Sequence, residues 1–166
     1  VVTIDSLINV SCYNAQDGYV SVNVVGGMPQ YSYLWSNGVS VDSISGVGAG
    51  NYILTVSDQS SCVDIISVAI VEPDKLNINA DSVLNPLCFN DSSGYIGVLP
   101  TGGTPPYSYL WSGGENTQSV DSLFAGTYNV IIVDDNLCED SMSFILTQPL
   151  ELNISEVYDS ASCYGV

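Results

Sequence analysis

The sequence of 166 residues lacks histidine and arginine, and it contains a single lysine, Lys75, against 18 acidic residues. Without a basic patch the chain cannot neutralise phosphates, which excludes nucleic-acid binding. The net charge of −17 excludes polybasic attachment to an acidic membrane surface. The absence of histidine removes every catalytic triad and metal site built on imidazole. No Gly-rich phosphate loop surrounds Lys75. These absences predict that the protein is not an enzyme.

Long apolar runs and a sustained helical period are also missing. No run approaches the roughly 18 apolar residues of a membrane span, so we expect no membrane insertion. Hydrophobic residues make up 46% of the chain, which is enough for a core, so the acidity does not indicate disorder. Val1 begins directly in a strand-like segment with no signal peptide, which indicates a mature protein or an excised fragment.

What the sequence does contain is an internal repeat with an offset of 76 residues. The segment YSYLWSNG at 31–38 recurs as YSYLWSGG at 107–114, and Cys12 and Cys62 recur as Cys88 and Cys138. Near the end, Cys163 stands in the same Ser-Cys-Tyr context as Cys12. We therefore expect the chain to be a fragment of a longer tandem array. We predict one repeat over 1–73, a second over 74–149, and the first strand and A–B loop of a third over 150–166.

Each repeat has the pattern of an all-β domain. Residues 19–24 alternate, with valines at 20, 22 and 24 on one face, which indicates a half-buried strand. Turn signals such as Asp17-Gly18 and Asn37-Gly38 separate such segments. With a short C′ strand after Trp111, the order predicts a seven-stranded, immunoglobulin-like or fibronectin-III-like β-sandwich. In the second repeat we expect strands near 75–82, 94–100, 106–112, 117–123, 126–134 and 139–147.

Several aromatic residues recur at fixed positions. Trp35 and Trp111 fall on strand C, where such sandwiches bury an aromatic side chain. Tyr52 and Tyr128 fall at the E–F corner, where a tyrosine hydroxyl bonds nearby backbone. Core packing is the interpretation that the pattern favours, and a carbohydrate-stacking role stays open for Tyr13, Tyr31 and Tyr107.

The ordered pattern Cys…Asp-Gly…Gly-Gly-x-Pro-x-Tyr-x-Tyr-x-Trp-Ser-x-Gly…Ala-Gly-x-Tyr…Asp…Cys…x-Pro resembles the SprB repeat, twice, over essentially the whole chain. The resemblance implies very long surface adhesins of the Bacteroidota, exported by type IX secretion and linked to gliding and attachment. It therefore implies an extracellular, cell-surface location with neighbouring repeats as partners. Lateral self-association into a fibre and contact with surface glycans or a substratum are the further partners it implies. Where the family usually has Gly before the second Cys, this chain has Ser61 and Leu137.

Asp-Ser followed by an apolar residue occurs six times, where composition predicts about one occurrence. The set resembles the motif at which Bacteroidota attach O-glycans to exported proteins. The alternative is that Asp and Ser simply alternate with apolar residues on solvent-facing strands, although this does not explain why Asp always precedes Ser. The candidate glycosylation sites are Ser6, Ser43, Ser82, Ser122, Ser141 and Ser160.

The recurrence of cysteines in an exported, His-free array favours disulfides, and the lack of a Cys-x-x-Cys pair argues against zinc. Cysteines of the A–B loop and of the F–G turn should lie about 20 Å or more apart, at opposite ends of a sandwich. A disulfide needs Cα atoms within about 7 Å. In a head-to-tail array, the A–B end of one repeat faces the F–G end of the next, which predicts Cys12–Cys138. Cys62, Cys88 and Cys163 would then pair with repeats outside this sequence. Pairing within each repeat (Cys12–Cys62 and Cys88–Cys138) and free thiols stay open.

Acidic residues cluster at the F–G turns, and Ca²⁺ binds six to eight oxygens. Because no Asp-x-Asp-x-Asp-Gly loop is present, a solvated acidic face is the alternative to a calcium site. We expect no other cofactor. The calcium candidates are Asp58, Asp134, Asp135 and Glu139.

Two functions follow from these features. The first is a structural and adhesive stalk repeat of an extracellular surface fibre, stiffened by disulfides and O-glycosylated. The alternative is a ligand- or carbohydrate-binding β-sandwich module of a larger secreted protein, because the loops after Trp35 and Trp111 differ in sequence. A glycosidase dyad of paired carboxylates is disfavoured, since the acids occupy turns and repeat ends without a shared cleft.

Overall fold

A computed structural model describes residues 1–154, and every regular element in this range is a β-strand. Each repeat contributes six strands, and each of the strands expected in the second repeat is found within a few residues of its predicted bounds. In the first repeat these are β1 Val2–Ile8, β2 Gly18–Val24, β3 Ser32–Trp35, β4 Ser43–Val47, β5 Gly50–Ser57 and β6 Val63–Ile70. In the second they are β7 Asn77–Leu84, β8 Gly94–Thr101, β9 Ser108–Trp111, β10 Ser119–Leu123, β11 Gly126–Val133 and β12 Glu139–Leu146.

The six strands of each repeat form two antiparallel, three-stranded sheets. The sheet orders are β1-β2-β4 and β3-β5-β6 in the first repeat, and β7-β8-β10 and β9-β11-β12 in the second. Chain connections cross between the sheets after β2, β3, β4 and their equivalents, which is the connectivity of an immunoglobulin-like sandwich. The predicted all-β, immunoglobulin-like or fibronectin-III-like fold is confirmed.

The prediction of a C′ strand is wrong, because within residues 1–154 each repeat holds six strands and not seven. Only seven residues, 36–42, separate β3 from β4, and the chain must cross to the other sheet within them. They start with a tight turn in which Trp35 N donates to Val39 O at 2.8 Å, and Gly38 adopts a φ of 88°. This leaves no length for a further strand.

Each sandwich has its own apolar core, and the two cores are built from equivalent positions. In β2 and β8 the alternate residues that face inward include Val20 and Ile96, both with no exposed surface. Trp35 and Trp111 are 1% and 2% exposed, and the Trp111 ring lies 6.1 Å from that of Phe144. The period-2 pattern therefore translates directly into burial.

No helix in residues 1–154 is long and apolar enough to cross a bilayer.

Candidate functional site at the junction between repeats

The F–G turn of each repeat is organised by an aspartate four residues before the cysteine. In the second repeat, Asp134 is 3% exposed, and its carboxylate accepts hydrogen bonds from the backbone N–H groups of Thr104, Asn136 and Cys138 at 2.7–2.9 Å. A carboxylate that gathers three backbone donors fixes the turn and the direction of the cysteine that follows.

The first repeat builds the same turn around Asp58. Its carboxylate accepts from the N–H groups of Met28, Ser60 and Cys62 at 2.8–3.0 Å. These bonds favour the ionised form, so the backbone N–H of Met28, followed by that of Cys62, lowers the pKa of Asp58. Cys62 and Cys138 are therefore presented by the same local structure.

The A–B loop after β1 carries Cys12 and is tied to the end of its own repeat. Val10 N donates to Val71 O at 3.2 Å, and Asn14 N donates to a carboxylate oxygen of Glu72 at 2.7 Å. Asn14 adopts a φ of 59°, a left-handed conformation that asparagine tolerates better than most residues. This places Cys12 beside the segment that leads into the second repeat.

The two cysteines meet at the junction. The structure joins Cys12 and Cys138 in a disulfide that links residues 126 positions apart, with their Cα atoms 5.7 Å from each other. It is the pair that the head-to-tail argument favours. Cys62 and Cys88 are exposed and unbonded in the described part of the chain, and Cys163 lies outside it.

Pairing of Cys12 with Cys62 is opposed by the length of β6. Val10 bonds to Val71, just beyond one end of this strand, whereas Cys62 directly precedes its other end at Val63. Eight residues of strand span about 26 Å, far more than the reach of a disulfide.

Polar contacts that the sequence pattern does not predict surround the disulfide. The side-chain amide of Asn136 donates to the backbone oxygen of Ser11 at 2.9 Å and to the hydroxyl of Thr104 at 3.0 Å. A cleft beside the disulfide is lined by residues of both repeats, among them Tyr13, Leu76 and Leu137. The recurrence of Asp-x-x-x-Cys at 58–62 and 134–138 is the sequence signal that could have identified the turn.

The calcium candidates are not brought together as a set. Asp58 belongs to the first repeat, whereas Asp134, Asp135 and Glu139 belong to the second. The carboxylates of Asp58 and Asp134 already accept backbone hydrogen bonds. Residues 1–154 contain no group of three or more His, Cys, Asp or Glu side chains that could hold a metal ion.

Three of the five Asp-Ser motifs within residues 1–154 coincide with irregularities in the sheets. The β1–β2 register shifts at Asp5, the β7–β8 register at Asp81, and the β10–β8 register between Val120 and Leu123. Such bulges re-aim the side chains next to them. Asp140 accepts a 3.0 Å hydrogen bond from Ile78 N and so joins β12 to β7. Ser122 and Ser141 are exposed, Ser6, Ser43 and Ser82 are half-buried, and Ser160 lies outside the described residues.

The recurring tyrosines make backbone contacts. The hydroxyls of Tyr52 and Tyr128 donate to Gly48 O and Phe124 O, both at 3.0 Å, in the geometry of a tyrosine corner. The hydroxyls of Tyr31 and Tyr107 donate to the Gly-Gly turns, with Tyr107 bonding Gly102 O at 2.6 Å and Tyr31 bonding Gly26 O at 2.7 Å. Tyr13 is 47% exposed beside the junction cleft.

The loops after the two tryptophans form the same turn despite their different sequences. Trp111 N donates to Glu115 O at 2.9 Å, as Trp35 N does to Val39 O. Each indole N–H also donates to a backbone oxygen six residues later, at 2.9 Å in both repeats.

Comparison with known families identifies the repeat. The family model "SprB repeat" matches residues 6–40 and again residues 80–116, segments that hold the A–B loops, the Gly-Gly turns and the tryptophans. Each of the two repeats therefore contains one match to the SprB-repeat model. Members of this family are extracellular surface proteins. No curated protein matches the chain.

Solved structures that are similar to this chain include a C-terminal fragment of intimin in complex with the intimin-binding domain of its translocated receptor. It shows 11% identity and a TM-score of 0.47 over 87% of this chain, which spans 64% of that fragment. Fibronectin(III)-like modules of Clostridium thermocellum CbhA share 16% identity, with a TM-score of 0.36 and coverage of 95% of this chain and 100% of theirs. The first two immunoglobulin domains of DIP-gamma share 14% identity, with a TM-score of 0.38 and coverage of 89% and 97%. These likenesses concern the fold.

Proposed function

We propose that the chain is a structural and adhesive stalk module of an extracellular surface fibre, in which the Cys12–Cys138 bond carries tension from one repeat to the next. The observation that supports this most is the position of that bond, which joins the A–B loop of one sandwich to the F–G turn of the other. A force applied at the two ends passes through the disulfide and bypasses the chain between the two cysteines. An oxidising environment preserves such bonds, which fits a surface location.

Single-molecule stretching tests this role. Reduction should free the chain between the two cysteines, which lie 126 residues apart. At about 3.5 Å per residue, the fully extended length should then increase by about 440 Å. The double variant Cys12→Ser/Cys138→Ser should show the long extension without reductant, and Cys88→Ser should match the unmodified protein. An equal extension before and after reduction would rule out the load-bearing bond.

The single lysine provides a simpler test of the connectivity. Lys75 is exposed and lies between β6 and β7, so a lysine-specific protease cuts the chain once, between the two repeats. With Cys12–Cys138 present, the halves should stay together on a denaturing, non-reducing gel and separate after reduction. Bonds within each repeat would let them separate in both conditions.

We also propose that the protein is O-glycosylated at Asp-Ser motifs and exported to the surface of a Bacteroidota cell. Ser122 and Ser141 are the best-exposed candidates among the described residues. Intact-mass measurement of protein from its source, before and after deglycosylation, should reveal the glycan mass. Ser122→Ala and Ser141→Ala should each remove one increment. Antibody labelling of intact cells against lysed cells tests the location, because a surface fibre labels equally in both.

A further inference from the structure

We infer that Gly102, the first glycine of the second Gly-Gly turn, is a positioning residue for the junction disulfide, because it makes room for the linker between the repeats. The linker consists of residues 71–76, between β6 and β7. The inference rests on the Cys12–Cys138 bond of the proposed function, and it adds what brings these two cysteines together. It also gives a role to a Gly-Gly motif that occurs in both repeats.

The start of the linker is fastened to the A–B loop of the first repeat. Val71 N donates to the side-chain oxygen of Asn9 at 3.0 Å, and Val71 O accepts from Val10 N at 3.2 Å. The carboxylate of Glu72 accepts from Asn14 N at 2.7 Å. These hydrogen bonds lie on both sides of the cysteine in the loop, so they fix its position relative to the first residues of the linker.

The end of the linker lies on the Gly-Gly turn of the second repeat. Gly103 N donates to Asp74 O at 2.7 Å. A β-carbon placed on Gly102 would collide with the carbonyl group of Lys75, whose carbon atom would be only 2.8 Å away. Leu76, the last residue of the linker, is 5% exposed. The linker backbone therefore occupies space that only a glycine at position 102 leaves free.

The same Gly-Gly turn is bonded to the loop that presents Cys138. Thr104, directly after the two glycines, donates its N–H to Asp134 at 2.7 Å and accepts from Asp135 N at 2.9 Å. Asp134 also accepts from Cys138 N at 2.8 Å. A continuous series of contacts thus runs from the Cys12 loop through the linker and the Gly-Gly turn to Cys138. None of these contacts involves a sulfur atom, so they can hold the two thiols near each other before the bond forms.

The two glycines of the turn have different roles. A β-carbon on the second glycine, Gly27 or Gly103, would meet an aspartate oxygen of its own repeat, at 2.9 Å in the first repeat and 2.7 Å in the second. A β-carbon on Gly26 would meet no atom of residues 1–154 within 4 Å, whereas one on Gly102 would strike the linker. Both first glycines have a positive φ, 83° and 71°. Alanine should therefore strain the two turns to a similar extent, and only the substitution in the second repeat should displace the linker.

Closing the bond removes two protons and two electrons from the thiols of Cys12 and Cys138. Oxidised glutathione accepts them: the thiolate of one cysteine displaces glutathione from a mixed disulfide on the other, and two glutathione thiols are released in total. The equilibrium constant of this exchange measures the effective concentration of one thiol around the other. A linker that is anchored at both ends raises this concentration, and a displaced linker lowers it.

The test uses the full chain with Cys62→Ser, Cys88→Ser and Cys163→Ser as the parent, which leaves only the two junction cysteines. The parent and its variants are equilibrated in glutathione buffers of known composition, and the oxidised and reduced forms are separated and quantified. Gly102→Ala should lower the effective concentration of the thiols by about tenfold or more, because the linker no longer fits the turn. Gly26→Ala is the matched control and should leave the effective concentration unchanged. Circular dichroism checks that each variant is folded.

A second variant displaces the linker without touching the turn. Insertion of two glycines between Pro73 and Asp74 separates the two anchored ends of the linker, and it should also lower the effective concentration. This variant decides the question if Gly102→Ala does not fold. An effective concentration equal to that of the parent in either variant would overturn the inference, and so would equal losses in Gly102→Ala and Gly26→Ala. Failure of the parent to form the bond would instead count against the proposed function.

Discussion

The side-chain amide of Asn136 donates a 2.9 Å hydrogen bond to the backbone oxygen of Ser11, which lies 125 residues earlier in the chain. This contact crosses the junction next to the Cys12–Cys138 bond, and it is a non-covalent contact between other residues. The same amide reaches Thr104 within its own repeat, so the F–G turn is linked at once to its own sandwich and to the neighbouring loop. The disulfide therefore closes a junction whose polar groups are already complementary.

Replacing Asn136 with Ala should reduce the free energy of unfolding by about 1–2 kcal/mol, because the amide loses its hydrogen bond across the junction to Ser11 and its hydrogen bond to Thr104. Denaturation with guanidinium, followed by circular dichroism, measures the change. Ser60→Ala alters the equivalent position of the first repeat, which faces no neighbour in the described chain, and should have less effect. Equal effects of both variants would mean that the Ser11 contact contributes nothing.

Trp111→Ala should cost about 3–5 kcal/mol, because the side chain is 2% exposed and its loss leaves a cavity beside Phe144. The indole also gives up its 2.9 Å hydrogen bond to Thr117 O. Chemical denaturation followed by circular dichroism is suitable, since the variant loses a fluorophore. Trp35→Ala is the matched variant in the first repeat. A cost below about 1 kcal/mol would show that Trp111 is not part of the core.

The fold could be predicted from the sequence because the alternation of apolar residues and the turn residues are local signals. The 76-residue offset shows each of these signals twice. The Cys12–Cys138 pairing could be argued from the head-to-tail order of sandwiches. The role of Asp134 could not, because an acidic residue in a turn has the same pattern whether it binds a cation or backbone N–H groups. The prediction of a C′ strand was wrong because the sequence of the seven-residue loop does not show that the chain must cross between sheets there.

Tyr107→Phe should lower the free energy of unfolding by about 1 kcal/mol, because its hydroxyl donates to Gly102 O at 2.6 Å. Thermal unfolding of the variant measures this effect, and Tyr13→Phe, at a 47% exposed position, provides the comparison. If the Tyr107 hydroxyl bonded a carbohydrate ligand instead, the variant would keep its stability and lose affinity in a glycan array.

Acidification should weaken the F–G turn of the first repeat through Asp58. Hydrogen bonds from the N–H groups of Met28 and Cys62 lower the pKa of its carboxylate in the folded protein. The stabilisation is therefore fully present above the unfolded-state pKa of about 4 and is lost as the pH falls through the folded-state pKa. The difference in free energy of unfolding between the unmodified protein and Asp58→Asn should be largest at neutral pH and should shrink below about pH 4. Urea denaturation at a series of pH values measures it, and relief of repulsion among the other acidic residues largely cancels in the comparison. A difference that stays constant or grows on acidification would show that the ionised carboxylate does not hold this turn.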